Sequence, residues 1–579
     1  MSAHSFRELL RHTALFRDLP EAVFEPLLEA LDWIQLPGGR DLFLMGEEAD
    51  ALYVMLSGSL GAFRPDALGR LQQIGQIGPG ETVGENALIL DQPRGATVRA
   101  LRDSELMRLP RSSFEDFVRG DPLAMLKMIR FSLKRQDGSN PNGKLNLPRT
   151  FALVPHAASA RARQFAQDLV DAAKGSGASI LIDRSMAVGK TAAWFSEIEA
   201  AHRVVFYFAD DHGSDWTALC LRQSDALILI ADGDDAPSPW AALSAKSDKN
   251  TSRRPEHIVL RWPREIRSGQ AAAWHKFKPT ARIWHVRWDR DLLRLCRHLL
   301  GEATALVLSG GGARGFAHLG VVKALREATV PIDAVAGTSI GAIMGAGVAH
   351  EWGFDEMRER YHRTFVSSNP LGDYTLPLVS LVAGRRVSKR LRAEYGEIDI
   401  DDLPIPFFCV SANLSSGLAQ VHKHGKLWRW LRASISIPGV LPPVLSGSEV
   451  YVDGGVINNL PVDVMAASHR GPIIGVDVGT ERALTSRFDE FDLPPWWRLF
   501  GQSRRRERPG ILNILLRSGM VNSGAAADIA ASRSTLLLKP PLAAIEMLDW
   551  KAFDAAIEIG YRHAAEMLEK HGVAGLRRG

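Results

Sequence analysis

The sequence predicts a multidomain protein with an N-terminal β-barrel or jelly roll with helices, an α/β spacer and a C-terminal α/β domain. Its 579 residues are too many for one compact core. Short strand-like runs broken by glycines fill residues 16–117, and such runs are typical of small antiparallel barrels. From residue 151 to about residue 300, apolar runs alternate with amphipathic helical stretches, which indicates βαβ units and a parallel sheet, and a third α/β segment begins at residue 303. We place the domains at residues 1–136, 149–300 and 301–579.

Composition and charge narrow the class of protein. Hydrophobic residues make up 46% and charged residues 23% of the chain, as in folded globular proteins. A net charge of +4 is too small to favour a nucleic-acid partner, so we expect none. The three cysteines, Cys220, Cys296 and Cys409, are too few and too far apart for a disulfide framework or a zinc site. No apolar run is long enough to span a bilayer. We therefore expect a cytoplasmic protein that is at most peripheral on a membrane, without a bound metal.

The barrel-like region contains a strand pattern and a candidate anion site. Residues 52–56 are typical of a strand, and Gly58 predicts its end. Further on, Glu85 follows a glycine at the start of a short helical stretch, and Arg94 comes nine residues later. A helix N-terminus offers N–H groups to an anion, and an arginine adds a charge-assisted fork for phosphate.

A glycine-rich loop opens the C-terminal segment. The strand-like residues 306–308 precede Gly310-Gly311-Gly312-Ala313-Arg314-Gly315 and then a helical pattern. This order groups backbone N–H donors on one side and predicts a site for negative charge. The spelling G-x-G-x-x-G also occurs in dinucleotide-binding loops. Two features count against that alternative: Arg314 occupies a variable position, and no acidic residue closes a second strand about 20 residues on.

Two further motifs suggest nucleophilic catalysis. Ser339 is the centre of a G-x-S-x-G run, between a strand-like and a helical stretch, which is the context of a nucleophile elbow. The alternative is a glycine turn with an incidental serine. Asp453 ends another strand-like run and is followed by two glycines that leave room around it. A buried carboxylate close to Ser339 could take its proton, and the amides of residues 310–312 could then bind the oxyanion.

These three motifs, in this order, resemble the patatin-like phospholipase family over residues 303–463. The resemblance implies hydrolysis of lipid acyl esters through an acyl-enzyme, with Ser339 as nucleophile and Asp453 as its base. The glycine-rich positions that it assigns are the oxyanion hole at Gly310, Gly311 and Gly312, the glycine-loop residues Arg314 and Gly315, and the nucleophile elbow at Gly337 and Gly341.

Histidines offer a rival mechanism. A Ser–His–Asp triad would need a histidine after its acid, and His469 or His563 could serve. Neither lies in a recognisable motif, so we favour the dyad. His318, on the helix after the glycine loop, is expected to be a packed residue.

The N-terminal region resembles cyclic nucleotide-binding domains over residues 14–120. The resemblance implies that Glu85 binds the ribose and Arg94 the cyclic phosphate, which makes a cyclic nucleotide a candidate allosteric ligand. Gly95 departs from the pattern, because the residue after this arginine is usually small and often hydroxylated. A barrel that keeps the fold and binds nothing is the alternative.

In the spacer, the run from Ser214 to Ile230 resembles the segment between sensor and esterase in the neuropathy-target-esterase branch of the patatin-like family. Gly189-Lys190-Thr191 looks like part of a P-loop, but Arg184 stands where that motif needs its first glycine, so we expect no NTPase site. Residues 494–506 combine tryptophans with arginines, which suits either a membrane surface or a buried aromatic pair beside a solvated charge run.

The sequence thus predicts a serine lipid-ester hydrolase, a phospholipase or lysophospholipase, which needs no cofactor and contacts a membrane surface peripherally. An inactive regulator that responds to a nucleotide or binds membranes is the second hypothesis. The oligomeric state is not predicted.

Overall fold

The structure is a computed structural model. The residues that it describes are 7, 11, 21–65, 71–120, 147–157, 159–190, 192–238, 255–368, 371–479, 530–572 and 576. The chain divides into two compact units, Met1–Arg261 with Phe277–Ile283, and Trp262–Lys276 with Trp284–Gly579.

The first unit begins with a jelly roll, as the sequence predicts. Strand β6 pairs antiparallel with β1, β2 and β3, and β3 pairs antiparallel with β4 and β5. The strands are β1 (Asp32–Leu36), β2 (Asp41–Phe43), β3 (Ala51–Pro65), β4 (Leu71–Ile77), β5 (Thr82–Val83) and β6 (Thr97–Pro110). The helices are α1 (Glu21–Glu29), α2 (Glu85–Ile89) and α3 (Arg111–Gly120).

Strand β3 is buried on both faces, because it separates two cores. Leu52 and Val54 pack with Phe24 of α1 and Phe114 of α3, whereas Tyr53 and its odd-numbered neighbours pack inside the barrel. The prediction that this strand ends at Gly58 is wrong. The strand continues through a register shift, and Gly58 takes a φ of 97° against Ser104, where a Cβ would collide with its side chain.

The second part of this unit is a parallel α/β layer, as predicted. Five strands run in the order β11-β10-β7-β9-β8 with parallel pairing throughout. They are β7 (Thr150–Pro155), β8 (Ser179–Ile182), β9 (Val204–Phe208), β10 (Ala226–Asp232) and β11 (Glu256–Arg261). The helices are α4 (Ala160–Lys174), α5 (Arg184–Ala187), α6 (Ala192–Ala201) and α7 (Asp215–Gln223).

Within the first unit, Arg102 joins the barrel to the α/β layer. Its side chain is 7% exposed and forms ion pairs with Glu199 at 2.7 Å and Asp225 at 3.0 Å. It also donates to the carbonyls of Gly58 and Gln223. A buried arginine with two carboxylate partners makes this junction sensitive to the loss of either partner, because removing one leaves buried charge uncompensated.

The second unit contains an eight-stranded mixed sheet in the order β17-β18-β15-β14-β13-β19-β20, with β16 beside β15. Strands β13, β14, β15, β19 and β20 are parallel, and β16, β17 and β18 are antiparallel to their neighbours. Strand β12 (Arg282–Val286) precedes this sheet in the chain. The eight strands of the sheet are β13 (Ala305–Leu308), β14 (Ala334–Thr338), β15 (Phe407–Asn413), β16 (Leu418–His422), β17 (Val444–Ser446), β18 (Glu449–Asp453), β19 (Ile473–Val476) and β20 (Leu536–Leu538).

Helices cover both faces of this sheet. They are α8 (Gln270–His275), α9 (Asp289–Leu300), α10 (Ala317–Glu327), α11 (Ile340–Ala349), α12 (Phe354–Tyr361), α13 (Arg385–Tyr395), α14 (Leu427–Ser434), α15 (Val462–Ser468) and α16 (Phe553–His571). Short 3₁₀ or π turns occupy Gly312–Phe316, His362–Val366, Ile400–Asp402, Gly454–Val456 and Trp550–Ala552. The largest core cluster includes Phe316, Val335, Ile343 and Phe553, so α11 is buried between the sheet and the other helices.

Two predicted features lie outside the described residues: most of the interval 137–148 between the first two predicted domains, and the aromatic and basic stretch at 494–506. In the part of the chain that the structure describes, no helix is long and apolar enough to cross a bilayer.

Candidate active site

Ser339 lies on a tight turn between β14 and α11. Its backbone has φ 55° and ψ −127°, a conformation that a non-glycine residue adopts only under strain. The flanking glycines allow the turn. A Cβ on Gly337 would lie 2.5 Å from the main chain of Gly341, and a Cβ on Gly341 would lie 2.4 Å from the carbonyl oxygen of Leu308. The geometry is that of a nucleophile elbow, with the serine held at the end of a strand.

The Ser339 hydroxyl donates a 2.7 Å hydrogen bond to Oδ2 of Asp453. Asp453 ends β18, which runs antiparallel to β15, and β15 in turn lies beside β14. The other carboxylate oxygen, Oδ1, accepts the N–H of Gly455 at 2.8 Å. A Cβ on Gly454 would come within 2.3 Å of the carbonyl oxygen of Val410, so only glycine lets the chain turn here. The fold thus brings together two residues that are 114 positions apart in sequence.

Burial makes Asp453 a better base than an ordinary aspartate. Its side chain is removed from solvent, and burial raises its pKa to about 6, although the bonds from Ser339 and Gly455 partly offset that rise. At neutral pH the carboxylate is therefore ionised and accepts the serine proton, while its affinity for a proton is higher than usual.

A second serine holds the backbone of the nucleophile. Ser434, the last residue of α14, accepts the N–H of Ser339 at 2.9 Å and donates its own hydroxyl to the carbonyl of Val410 at 2.7 Å. Two residues further on, the carbonyl of Ser436 accepts the N–H of Asp453 at 2.9 Å. The sequence analysis missed both serines. Their only signal is the alternation Ser-Ile-Ser-Ile-Pro after an amphipathic helix.

The glycine loop lies against the nucleophile, because a Cβ on Gly310 would be 3.0 Å from Cβ of Ser339. The N–H of Gly310 is already engaged, since it donates to the carbonyl of Asn459 at 3.2 Å. The N–H groups of Gly311 and Gly312 have no partner among the described residues. Of the predicted trio, Gly311 and Gly312 therefore keep unengaged amide donors among the described residues, whereas Gly310 does not.

The remaining loop residues have structural contacts. Arg314 donates from Nε to the carbonyl of Ile545 at 2.7 Å, which braces the loop against the C-terminal segment. Ala313 likewise donates its N–H to the carbonyl of Met547 at 2.7 Å. A Cβ on Gly315 would lie 2.3 Å from the side chain of Ile340, so this glycine permits the loop to approach α11.

No histidine takes part in the dyad among the described residues. His318 is fully buried, its Nε2 bonds to the carbonyl of Ser309 at 2.9 Å, and burial lowers its pKa to about 4, so it is a packed neutral residue. His563 accepts the N–H of Lys539, and His469 packs edge-on against His298. The structure does not bring either alternative base to Ser339.

In the barrel, Glu85 is the first residue of α2, and both it and Arg94 are buried. Arg94 is 2% exposed and donates to Asp50 at 2.9 Å and to the carbonyls of Gly84 and Ala51. Its guanidinium lies 4.2 Å from the ring centre of Phe43. Within the described residues, Nε of Arg94 has no hydrogen-bond partner. Arg94 is therefore held by three hydrogen-bonded residues, and its Nε is a donor without a partner among the described residues.

One group of side chains in the described part of the second unit could hold a metal ion. Asp401 Oδ1 lies 3.2 Å from Nε2 of His275 and 2.7 Å from Nδ1 of His424. These atoms are hydrogen-bonded to one another, and none of them contacts Ser339 or Asp453.

Comparison with known proteins assigns a family to each predicted domain. Residues 33–121 match the cyclic nucleotide-binding domain, residues 147–298 the neuropathy target esterase family P-loop like domain, and residues 306–466 the patatin-like phospholipase family. The three resemblances stated from the sequence are confirmed at the level of domain families.

Among similar proteins, patatin-like phospholipase domain-containing protein 6 of Mus musculus is 29% identical, over 92% of this chain and 45% of its own length. Lysophospholipase nte1 of Neosartorya fischeri is 28% identical over 93% of this chain and 42% of its own length. Neuropathy target esterase sws of Drosophila melanogaster is 28% identical over 94% and 43%. The chain spans under half the length of these curated relatives.

The geometry predicts that the reactivity of Ser339 depends on pH. Labelling by an uncharged fluorophosphonate should slow about tenfold per pH unit below about pH 6, because a protonated Asp453 cannot accept the serine proton. The Asp453→Asn variant should label slowly at every pH. Wild-type labelling that stays fast well below pH 6 would exclude Asp453 as the base.

The same variant supplies its own folding control. Because the native pKa of Asp453 is raised from 3.8 to about 6, the native state binds more protons than the unfolded state between these pH values. The stability that this proton binding gives is lost as pH rises through them. At neutral pH, Asp453→Asn should therefore unfold thermally no earlier than the wild type.

Ser434 is expected to act as a positioning residue. Ser434→Ala removes the acceptor for the N–H of Ser339 and should slow labelling about tenfold, the effect of about one lost hydrogen bond. The pH midpoint should stay unchanged, because Asp453 remains in place. Ser224→Ala is the matched control, since Ser224 is also buried and also donates to a carbonyl, that of Cys220. Equal effects of the two substitutions would reduce the role of Ser434 to packing.

Proposed function

We propose that this chain, which carries a patatin-like phospholipase domain after a cyclic nucleotide-binding domain and a spacer, is a serine hydrolase of phospholipid or lysophospholipid esters. The observation that carries the proposal is the 2.7 Å bond between the Ser339 hydroxyl, held on a strained elbow, and the buried carboxylate of Asp453. A serine with this base and with free amide donors beside it has the groups that acyl transfer requires.

In the proposed mechanism, Oγ of Ser339 attacks the ester carbonyl while Asp453 accepts its proton. The negative charge that develops on the carbonyl oxygen is stabilised by the N–H groups of Gly311 and Gly312, which are fixed before the reaction. Collapse of the tetrahedral intermediate breaks the ester bond, and Asp453 returns the proton to the leaving alcohol. Water then attacks the acyl-enzyme by the same route, which releases the fatty acid and restores Ser339. These steps need no metal or redox cofactor.

The names of the relatives support the choice of substrate, because these proteins are called a phospholipase, a lysophospholipase and an esterase. Lipid substrates also imply contact with a membrane surface or a micelle, and we propose that this contact is peripheral. A reducing compartment such as the cytoplasm suits the three cysteines, which are all buried and unpaired by disulfides: Cys220, Cys296 and Cys409.

We further propose that the barrel binds a cyclic nucleotide and regulates the hydrolase. Arg94 is the candidate ligand for the cyclic phosphate, and its unused Nε among the described residues supports this role. Glu85, at the N-terminus of α2 in the same cassette, is the candidate ligand for the ribose hydroxyls.

The hydrolase proposal predicts that Ser339→Ala loses activity. Turnover of a lysophospholipid should fall by about 10⁴-fold or more, because the nucleophile is absent, while circular dichroism and the melting temperature stay close to those of the wild type. Ser380→Ala is the control, since Ser380 is buried and donates to a carbonyl outside the dyad. Full turnover by Ser339→Ala would show that another residue attacks. A wild type that neither turns over lipid esters nor reacts with a fluorophosphonate would instead favour an inactive regulator.

The regulatory proposal predicts binding of cyclic AMP or cyclic GMP, measured by isothermal titration calorimetry. Glu85→Gln keeps the size of the side chain and should weaken binding about tenfold, because a charge-assisted hydrogen bond to ribose becomes a neutral one. Asp41→Asn, which also removes one negative charge from the barrel, at the pair with Arg99, is the matched control. Absence of heat with both nucleotides would remove the proposal and leave the barrel as a structural domain.

A further inference from the structure

A pocket lined by three arginines lies in the second unit at α14, the helix whose Ser434 accepts the N–H of Ser339. We call it the arginine pocket. Its volume is about 480 Å³. The residues that line it and carry the argument are Gly384, Arg385, Ser388, Trp428, Arg429 and Arg432. Neither Ser339 nor Asp453 lines it, so the pocket is separate from the catalytic pair.

Arg432 forms the buried part of this pocket. It is 5% exposed and donates to Oγ of Ser436 at 2.5 Å and to the carbonyl of Pro442 at 3.1 Å. Among the described residues it has no carboxylate in an ion pair, and its Nε has no hydrogen-bond partner. Burial lowers the pKa of Arg432 to about 10, which Asp373 opposes at longer range. A buried guanidinium without a paired anion destabilises the folded protein, so a negatively charged ligand would stabilise Arg432 in this position.

Two exposed arginines add positive charge at the mouth of the pocket. Arg385 begins α13, an eleven-residue helix whose N-terminus is held by Gly384 in a left-handed conformation. Arg429, on α14, donates to Oγ of Ser446 at 3.0 Å. In the described part of the chain, neither forms an ion pair. The nearby acid, Asp373, accepts the main-chain N–H of Arg386 at 3.1 Å. The pocket therefore keeps a net positive charge, with a helix N-terminus that also favours an anion.

Hydrogen bonds join residues of the arginine pocket, and residues next to them in the chain, to the backbone of the dyad. Ser436 accepts the Arg432 guanidinium on its hydroxyl and the N–H of Asp453 on its carbonyl. Ser434, two residues after Arg432 on the same helix, holds the N–H of Ser339. Residues of α14 and of the turn after it would thus both contact an anionic group in the pocket and position the serine that attacks the ester carbonyl.

The segment that precedes the pocket is apolar and exposed. Tyr374 is 77% exposed and Leu378 is 84% exposed, and Leu376 and Val379 are exposed as well. Apolar side chains next to a basic pocket suit an amphiphilic ligand. Acyl chains or a lipid surface can cover the apolar side chains while the pocket binds an anion.

We propose that the arginine pocket binds the phosphate group of the lipid substrate and so selects phospholipids over neutral esters. This inference rests on the proposed hydrolase function. Arg429 and Arg385 would supply charge-assisted hydrogen bonds to phosphate oxygens from the mouth of the pocket, and the buried charge of Arg432 would attract the anion from below. The ester would then lie at Ser339 with its alcohol side toward the pocket.

The test compares a lysophospholipid with a monoacylglycerol of the same acyl chain, both in neutral detergent micelles. For Arg385→Met/Arg429→Met, KM for the lysophospholipid should rise about tenfold or more while kcat stays similar, because charge-assisted bonds in the bound complex are lost. Hydrolysis of the monoacylglycerol should not change. Arg562→Met, an exposed arginine on α16 paired with Glu558, is the matched control. Equal effects on both substrates, or no effect on either, would overturn the proposal.

Inorganic phosphate separates a headgroup site from a site for a free anion. It should compete with the lysophospholipid in the wild type and leave monoacylglycerol turnover unchanged. If phosphate instead alters monoacylglycerol turnover, and the double variant abolishes this response, the pocket is an effector site and the headgroup assignment is wrong.

Two readouts keep this inference distinguishable from the proposed function. Fluorophosphonate labelling of Ser339 in the double variant should match the wild type, which shows an intact dyad. Calorimetry with glycerol phosphate should show binding to the wild type that the double variant loses, whether or not any ester is hydrolysed. A protein that binds glycerol phosphate but hydrolyses neither ester would refute the hydrolase function alone, and one that hydrolyses both esters but shows no such binding would refute the pocket alone.

Discussion

The hydrogen bond between the Ser339 hydroxyl and the Asp453 carboxylate is the interaction on which the proposed chemistry of the second unit depends. It requires that β14 and β18 end near each other on either side of β15, and that bulk is absent at Gly337, Gly341 and Gly454. It also requires a carboxylate buried without a cation among the described residues. Ser339 and the N–H of Gly455 are the donors that the structure provides in place of a positive charge.

The burial of Asp453 has two opposite consequences. It costs stability, because ionising a carboxylate away from water is unfavourable, and it raises the proton affinity that a base in a two-residue mechanism needs. A histidine would supply such affinity without burial. The carboxylate buried at the end of β18 therefore destabilises the fold, and the same burial gives the base a suitable proton affinity. The left-handed backbone of Ser339 is a second strained feature, and Ser434 stabilises it from the neighbouring helix.

Local patterns made the fold and the position of the candidate site predictable. Alternating apolar runs predicted the jelly roll and the α/β layers, and the glycines around Ser339 and Asp453 predicted two strand ends with space around them. Interactions between distant segments were not predictable in this way. The N–H of Gly310 is engaged by Asn459, which follows a different strand, and nothing in the glycine loop itself signals this. Likewise, Gly58 bends a continuous strand because Ser104 lies opposite it, whereas the local sequence indicates a turn.

Arg432 and Ser434 illustrate the same limit. In the sequence they belong to an amphipathic helix with mixed charge, and their roles depend on which loops pack against its C-terminal end. Once α14 packs against β15 and β18, this helix and the turn after it position the nucleophile, support the backbone of the base and contribute a buried cation to a nearby pocket. This shared support explains how the catalytic pair and a site for the remainder of a substrate can be placed together.

The most direct measurement of the central claim is a crystal structure of the adduct formed when an alkyl fluorophosphonate reacts with the protein. The account predicts a covalent bond from phosphorus to Oγ of Ser339, with a phosphoryl oxygen about 2.7–3.1 Å from the N–H groups of Gly311 and Gly312. Asp453 should remain buried beside the adduct. An adduct on another residue, or a phosphoryl oxygen that points away from the glycine loop toward other donors, would contradict the account.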